Sequence, residues 1–450
     1  MALPFSAFAA SALACASCST PSDSGALTLV TGGETDTFTR APAPTRLRVD
    51  AIDTSGHLTT LSTTPLPATT IDLGSQSEST VATLNVTGLD ATGARIVFGA
   101  SLPLLFGGLS GLDLPVFVQR VGELARLPGP LGDARPAPLL AQIQGQYLLV
   151  VGGADESLAR STQLYDFGQL APLSSPPNLP LAPQSMALVG TVAWLLGSGG
   201  AASYFDFASG GQGSITAPAG ASFADVAGGS TVAGDKGVQL VVGATRTTGT
   251  PTAAVLQIDP NDTSDANYPF GKPTWLALTA PRLGAAATWV SGRGLVVVGG
   301  SASAHGVEIV AAGTTRGSAL PYPPDDSVAA GATALSGDAV LVAGGVSATA
   351  GDPGARTVDV ACVAQCAPAT WETTLPVPIV NAQAFTIDPA NAFVVGNELL
   401  GGRTHAFRLT STTATEVPTK VPHSNARATV SPLGSIVVVG GSNLIESFVF

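Results

Sequence analysis

The stretch GLVVVGG, residues 294–300, decides the fold. Its short, mostly β-branched apolar run is closed by two glycines, which reads as a strand buried on both faces and ended by a turn. The phrase returns as YLLVVGG (147–153), VAWLLGSGG (192–200), VQLVVG (238–243), AVLVAGG (339–345), AFVVG (392–396) and SIVVVGG (435–441). The first glycines of these runs are Gly152, Gly197, Gly243, Gly299, Gly344, Gly396 and Gly440. Their mean spacing is about 48 residues, the length of a four-stranded propeller blade.

Each unit carries further punctuation. Gly145, Gly190, Gly237, Gly292, Gly337 and Gly434 precede the apolar runs where a hairpin would turn, with Ala390 as the exception, and strands such as SMALV (185–189) and AAATWV (285–290) come before them. After the glycine motif a third strand ends in an acid, at Asp166, Asp206, Asp259 and Asp359, and Trp275 and Trp371 mark the start of a fourth. A left-handed backbone costs any residue but glycine roughly 1–2 kcal/mol, so the motif glycines are read as structural turn residues. No GxxxxGK[ST] follows any of them, which removes the phosphate-cradle reading.

This pattern resembles the kelch repeat over roughly residues 121–450. The resemblance implies a β-propeller, and Arg135, Arg282 and Arg427, each ahead of a first strand, echo the arginine of that repeat. The chain ends in ESFVF (446–450), a third strand without a fourth, and the segment Glu123–Leu127 is expected to complete that blade and close a ring of seven. An eighth blade stays open as an alternative, because FGG at 106–108 precedes the strand-like LPVFVQ (114–119); a six-bladed ring is the other alternative.

Residues 25–121 do not share the period. TRLRVDAID (45–53), TTIDLG (69–74), TVATLNVTGLD (80–90), RIVFGAS (95–101) and LPVFVQR (114–120) read as alternating strands of a small antiparallel sandwich, similar in outline to immunoglobulin-like modules. The expected organisation is therefore an export signal and tether over 1–24, a β-sandwich over 25–121, and a propeller over 122–450. The fold class is all-β.

Composition agrees with this reading. Of 450 residues, 45% are hydrophobic and only 11% charged, with 53 Gly and 34 Pro, which excludes long charge-laced helices. A net charge of -12 argues against nucleic acid or an anionic membrane surface as the main partner. Lysine occurs only at Lys236, Lys272 and Lys420, and this arginine bias with abundant Ala, Gly and Pro resembles chains from GC-rich bacterial genomes.

The first residues, MALPFSAFAASALA, end in the A-x-A pattern Ala12–Leu13–Ala14 followed at once by Cys15. They are read as an export signal, with Cys15 as a candidate for lipidation, Cys18 as its competitor, and Ser17–Ser24 as a flexible tether. The positive segment usual in such signals is missing, since no Lys or Arg precedes Arg40. The expected location is the periplasm, the outer membrane or the extracellular space. In such a compartment Cys362 and Cys366, in ACVAQCAPATW, are expected to form a disulfide.

Signatures of catalysis are few. There is no HExxH, GxSxG or Walker-type loop, and His57, His305, His405 and His423 are read as satisfied or solvated loop residues. Some kelch propellers are copper oxidases with His and Tyr ligands, but no such set carries over onto Tyr147, Tyr165, Tyr204, Tyr268 or Tyr322. The loop DPNDTSDAN (259–267) sets Asp259, Asp262 and Asp265 at calcium-like spacing. It lacks the Gly and terminal Glu of an EF-hand, and a solvated loop is the simpler reading. The chain is thus expected to be a monomeric, non-enzymatic recognition or scaffold protein without a cofactor, binding protein or polysaccharide through propeller loops. The alternative is a glycan hydrolase, lyase or oxidase with its site in the central funnel.

Overall fold

The computed structural model describes residues 26–450, apart from 69–70, 72, 74–78, 107–112, 174–176, 244–249, 266, 350, 352–353 and 372–373. The chain divides into two compact units, which meet in sequence at Val121 and Gly122. Among the described residues no helix is long and apolar enough to cross a membrane.

From Gly122 onward the strands form seven four-stranded antiparallel sheets among the described residues, each the blade of a propeller. Blade 4 is typical, with strands Ala286–Val290, Gly294–Val298, Ser301–Ala311 and Ser318–Asp325 in sequential order. Every residue of its second strand is buried, as is every residue of the equivalent Val192–Leu196 in blade 2. The reason lies in the packing: apolar clusters sit between blades, so a second strand meets a neighbouring blade on each face. One cluster joins Trp194 of blade 2 to Leu256 of blade 3, and another joins Val296 of blade 4 to Val342 of blade 5. A fully buried Val or Leu contributes about 1.5–3 kcal/mol, which is why these runs are continuous rather than alternating.

The ring closes with strands from both ends of the unit. Blade 7 consists of Arg427–Val430, Ile436–Val439, Glu446–Phe448 and, as its fourth strand, Leu124–Arg126, with Phe448 opposite Leu124 and Glu446 opposite Arg126. Among the described residues there is no eighth four-stranded sheet. Strand-like LPVFVQ pairs elsewhere, while Gly107 and Gly108 lie outside the described residues.

Five of the seven motif glycines, Gly152, Gly243, Gly299, Gly344 and Gly440, have positive φ. At Gly299, with φ +80°, an added Cβ would also stand 2.6 Å from the carbonyl oxygen of Ser327. Gly197 and Gly396 correct the reading of the motif as a left-handed turn, because neither has positive φ. Gly396 lies within the strand Asn391–Glu398, where the obstacle to a larger residue is the Ile379 side chain, 2.7 Å from the place of a Cβ.

The first unit contains β1 (Ala26–Val30), β2 (Arg46–Asp53), β3 (Leu58–Pro65), β4 (Val81–Leu89), β5 (Arg95–Ala100), β6 (Leu104–Leu105) and β7 (Asp113–Arg120). Hydrogen bonding links them in the order β1-β7-β5-β4-β2-β3, with β6 on β4. β7 pairs in two halves, parallel with β1 over Asp113–Phe117 and antiparallel with β5 over Val118–Arg120. Alternate residues Leu47, Val49 and Ala51 of β2 and Ala82, Leu84 and Val86 of β4 share one core with Ile71, Leu73 and Phe106 from the connections.

Candidate functional site

The first strands of all seven blades converge on a central cavity of about 470 Å³. Its lining comes from the beginnings of those strands, so the cavity lies toward the face that also carries the glycine motifs. Antiparallel order requires this: the connections from second to third strand and from one blade to the next emerge at the same end. Small residues such as Gly229, Ala287, Ala330 and Ala332 dominate the wall. Arg427 is the only charged side chain among the described lining residues.

A backbone device shapes this end. Ala137, Gly228, Gly284, Ala329, Asn381 and Asn425, each near the start of a first strand, are left-handed, with φ between 50° and 81°. This conformation turns a carbonyl toward the following blade. The oxygens of Asn425, Gly284 and Ala329 accept from the N–H groups of Ala137 (2.7 Å), Ala329 (2.8 Å) and Ala382 (3.1 Å). At the seam between blades 6 and 7 the acceptor is again such a carbonyl, that of Asn381, but the donor is the Arg427 guanidinium at 3.3 Å.

The other buried charges form a second recurring device. Arg282 is fully buried and donates to the carbonyls of Gly299 (2.7 Å) and His305 (2.6 Å) and to the Glu308 carboxylate (3.2 Å). Glu308 also accepts from the Thr279 N–H. In blade 1 Arg135 occupies the same place, donating to the Gly152 and Ser161 carbonyls and pairing with Asp133 at 2.5 Å. In blade 7 the place belongs to His423, which bonds the Gly440 carbonyl (2.8 Å) and Glu446 (3.0 Å), while Glu446 accepts from the Lys420 N–H. Arg135, Arg282 and His423 each stand 17 residues before their glycine.

Arg427 is therefore not the third member of the arginine series; its side chain belongs to the cavity. The constant distance to the glycine was the signal that would have singled out His423 in its place. Blade 5 reverses the polarity: Arg356, from the third strand, reaches Asp325 (2.6 Å) and Ser327 (2.7 Å). Two of these ion pairs join successive blades: Arg282 ends the fourth strand of blade 3, Lys272–Arg282, and meets Glu308 of blade 4, while Asp325 ends the fourth strand of blade 4 and meets Arg356 of blade 5.

The remaining sequence candidates are also engaged in structure. Asp259, Asp262 and Asp265 each cap their own turn, accepting from the N–H groups of Asn261 (2.9 Å), Ser264 (3.1 Å) and Asn267 (2.9 Å). Asp262 additionally pairs with Lys272 at 3.3 Å. Among the described residues no group of three or more His, Cys, Asp or Glu is arranged to hold a metal. Hydrogen bonds from the Ser264 hydroxyl and N–H hold the Asp262 carboxyl below its ordinary range.

His57 is exposed, whereas His405 is buried between Glu398 (2.8 Å) and Glu416 (2.7 Å), and His305 bonds the Tyr322 carbonyl at 2.9 Å. Burial pushes the Tyr165 phenol well above its ordinary value, with the nearby Asp166 adding to the shift, and its hydroxyl donates to the Pro128 carbonyl at 2.7 Å. Cys362 and Cys366 are joined, with Cα atoms 5.9 Å apart. Cys15 lies outside the described residues.

No protein-family model matches the chain, and no curated protein matches it in sequence. Similar solved structures are YCF48 bound to D1 peptide, with TM-score 0.45 and 13% identity, covering 73% of this chain and 95% of that one; a chain of a mitotic checkpoint complex, with TM-score 0.47 and 13% identity, covering 73% and 92%; and YCF48 from Cyanidioschyzon merolae, with TM-score 0.47 and 9% identity, covering 73% and 99%. The likeness is one of fold alone, and the blade count stands on the strand pairing.

Proposed function

We propose that the protein is an exported, non-enzymatic recognition protein that engages a protein partner through the loops of its propeller. The observation that carries this reading is the placement of charge. The buried ionisable groups Arg135, Arg282, Glu308, Arg356 and Glu446, with His423, are spent on holding strands and loop carbonyls together within and between blades. The central cavity, where a propeller enzyme would gather its reacting groups, offers Arg427 as its one charged group among the described lining residues. The chemistry open to a large ligand is then that of the loops.

Protein is favoured over polysaccharide by the hairpin after the second strand of blade 6, which presents Leu399 at 52% and Leu400 at 84% exposure. Export is supported by the Cys362–Cys366 bridge, since disulfides persist in oxidising compartments. Lipidation of Cys15 belongs to the same proposal, and incorporation of labelled fatty acid in wild type but not in Cys15→Ser tests it.

The direct experiment is capture from an envelope extract on the immobilised chain, with the extract treated in parallel by protease or by glycosidase. Loss of the retained material after protease alone is the expected result. Loss after glycosidase alone replaces protein with polysaccharide as the ligand, and shortening of the retained material during incubation overturns the non-enzymatic reading.

A further inference from the structure

Arg427 differs from the other inward-facing arginines of the ring in one respect. Arg135, Arg282 and Arg356 each meet a carboxylate within 3.2 Å. Among the described residues Arg427 meets none, and its hydrogen bond to the Asn381 carbonyl, at 3.3 Å, uses one of five N–H donors. It borders the cavity of about 470 Å³, whose other described lining residues are uncharged. Burial lowers the affinity of this guanidinium for its proton, and no neighbouring carboxylate opposes that effect. Among the described residues this cation has no carboxylate counter-ion, and its planar fork is shaped for two parallel bonds to a carboxylate.

We propose that the cavity is a binding site for a single carboxylate group, held by the Arg427 guanidinium at the seam of blades 6 and 7. The wall restricts what can accompany that group. Small side chains such as Ala330 and Ala332 leave room for a slender body, and Thr231 and Gln184, both exposed there, supply polar atoms around it. One positive charge matches one carboxylate. The net charge of -12 on the chain disfavours polyanions, which would need several cations to offset that field. The carboxylate has two sources, a small free acid or the end of a polypeptide. The site goes beyond loop-mediated recognition and does not depend on it, because capture of a partner and occupancy of the cavity are read separately.

The test is calorimetric titration of the full chain with acetate, with N-acetyl-Ala-Ala-Ala bearing a free C-terminus, and with the same peptide amidated. The free-acid peptide is expected to bind at least tenfold more tightly than the amide, the value of about 1.4 kcal/mol for one charge-assisted contact. Arg427→Gln is expected to remove that preference while its unfolding midpoint stays near wild type, and Arg427→Lys, which keeps the charge without the fork, falls between. Acetate displacing the peptide makes a small free acid sufficient; binding of the peptide but not of acetate assigns the carboxylate to a polypeptide. Equal affinity for acid and amide, unchanged binding by Arg427→Gln, or no binding of either probe overturns the proposal.

Discussion

Where Glu308 of blade 4 is buried against Arg282 from the end of the preceding blade, blade 6 buries Ile379 and Phe407 in one apolar cluster. The two pairs hold equivalent places relative to Gly299 and Gly396, and the reason for the difference is local. In blade 6 the ladder between second and third strands continues past the glycine, with Gly396 opposite His405 and Asn397 opposite Thr404. Backbone groups there satisfy one another. In blade 4 that ladder stops at Val298 and Val307, and the carbonyls of Gly299 and His305 face inward without a strand partner. An unsatisfied buried carbonyl costs about 1–3 kcal/mol, so a donor is required, and Glu308 neutralises the charge of that donor. The ion pair thus follows from the loop rather than from a demand for charge in the core.

The largest effect that sharpens this contrast is expected from Glu308→Ala. It leaves Arg282 uncompensated at 0% exposure and should destabilise the ring by about 3–5 kcal/mol, seen as a lowered urea midpoint. Ile379→Ala in blade 6 removes only apolar contact and should cost about 2–5 kcal/mol. The two differ in response to salt: the contrast fails if the apolar variant proves the more salt-sensitive in its midpoint.

The glycines give a finer test. Gly299→Ala meets left-handed backbone and a carbonyl oxygen, so it should cost about 1–3 kcal/mol, and no change of a neighbouring side chain should rescue it. Gly396→Ala meets the Ile379 side chain, and combination with Ile379→Val, which removes the Cδ1 atom at 2.7 Å, should recover part of the loss. Recovery in neither case would place both glycines in one class. Opening the Cys362–Cys366 bridge by Cys362→Ser and Cys366→Ser should cost no more than about 2 kcal/mol, because the loop it closes is short; midpoints with and without reductant measure it.

The smallest effect is a matter of pH. The Tyr165 phenol gives up its proton more readily in the unfolded chain than in the folded one. Its contribution to stability is complete below the ordinary tyrosine value near 10 and is lost as pH rises through the higher folded value. Tyr165→Phe should flatten that alkaline decline; an unchanged slope of midpoint against pH would contradict it.

The blade period was legible because one physical fact, burial of the second strand on both faces, writes the same apolar run seven times. Closure by Leu124–Arg126 was legible too, since an unpaired edge after Glu446–Phe448 demands a strand. His423 was not, because a histidine before a strand carries no signal until its distance from Gly440 is compared with those of Arg135 and Arg282. Arg427 was misplaced for the converse reason: its type fitted the series while its spacing did not. In the first unit, alternation marked the buried face of β2 and β4, but side-chain period says nothing about edges. The pairing of β7 with both β5 and β1 was therefore hidden.

On the proposed function, the buried charges hold the ring and the loops meet the partner. The most direct measurement repeats the capture with Glu308→Gln, which removes the charge but keeps the shape, at a temperature where circular dichroism shows the variant folded. The same retained material, from a protein with a lower unfolding midpoint, is the predicted result. Loss of capture by the folded variant would contradict the claim and give Glu308 and Arg282 a part in binding.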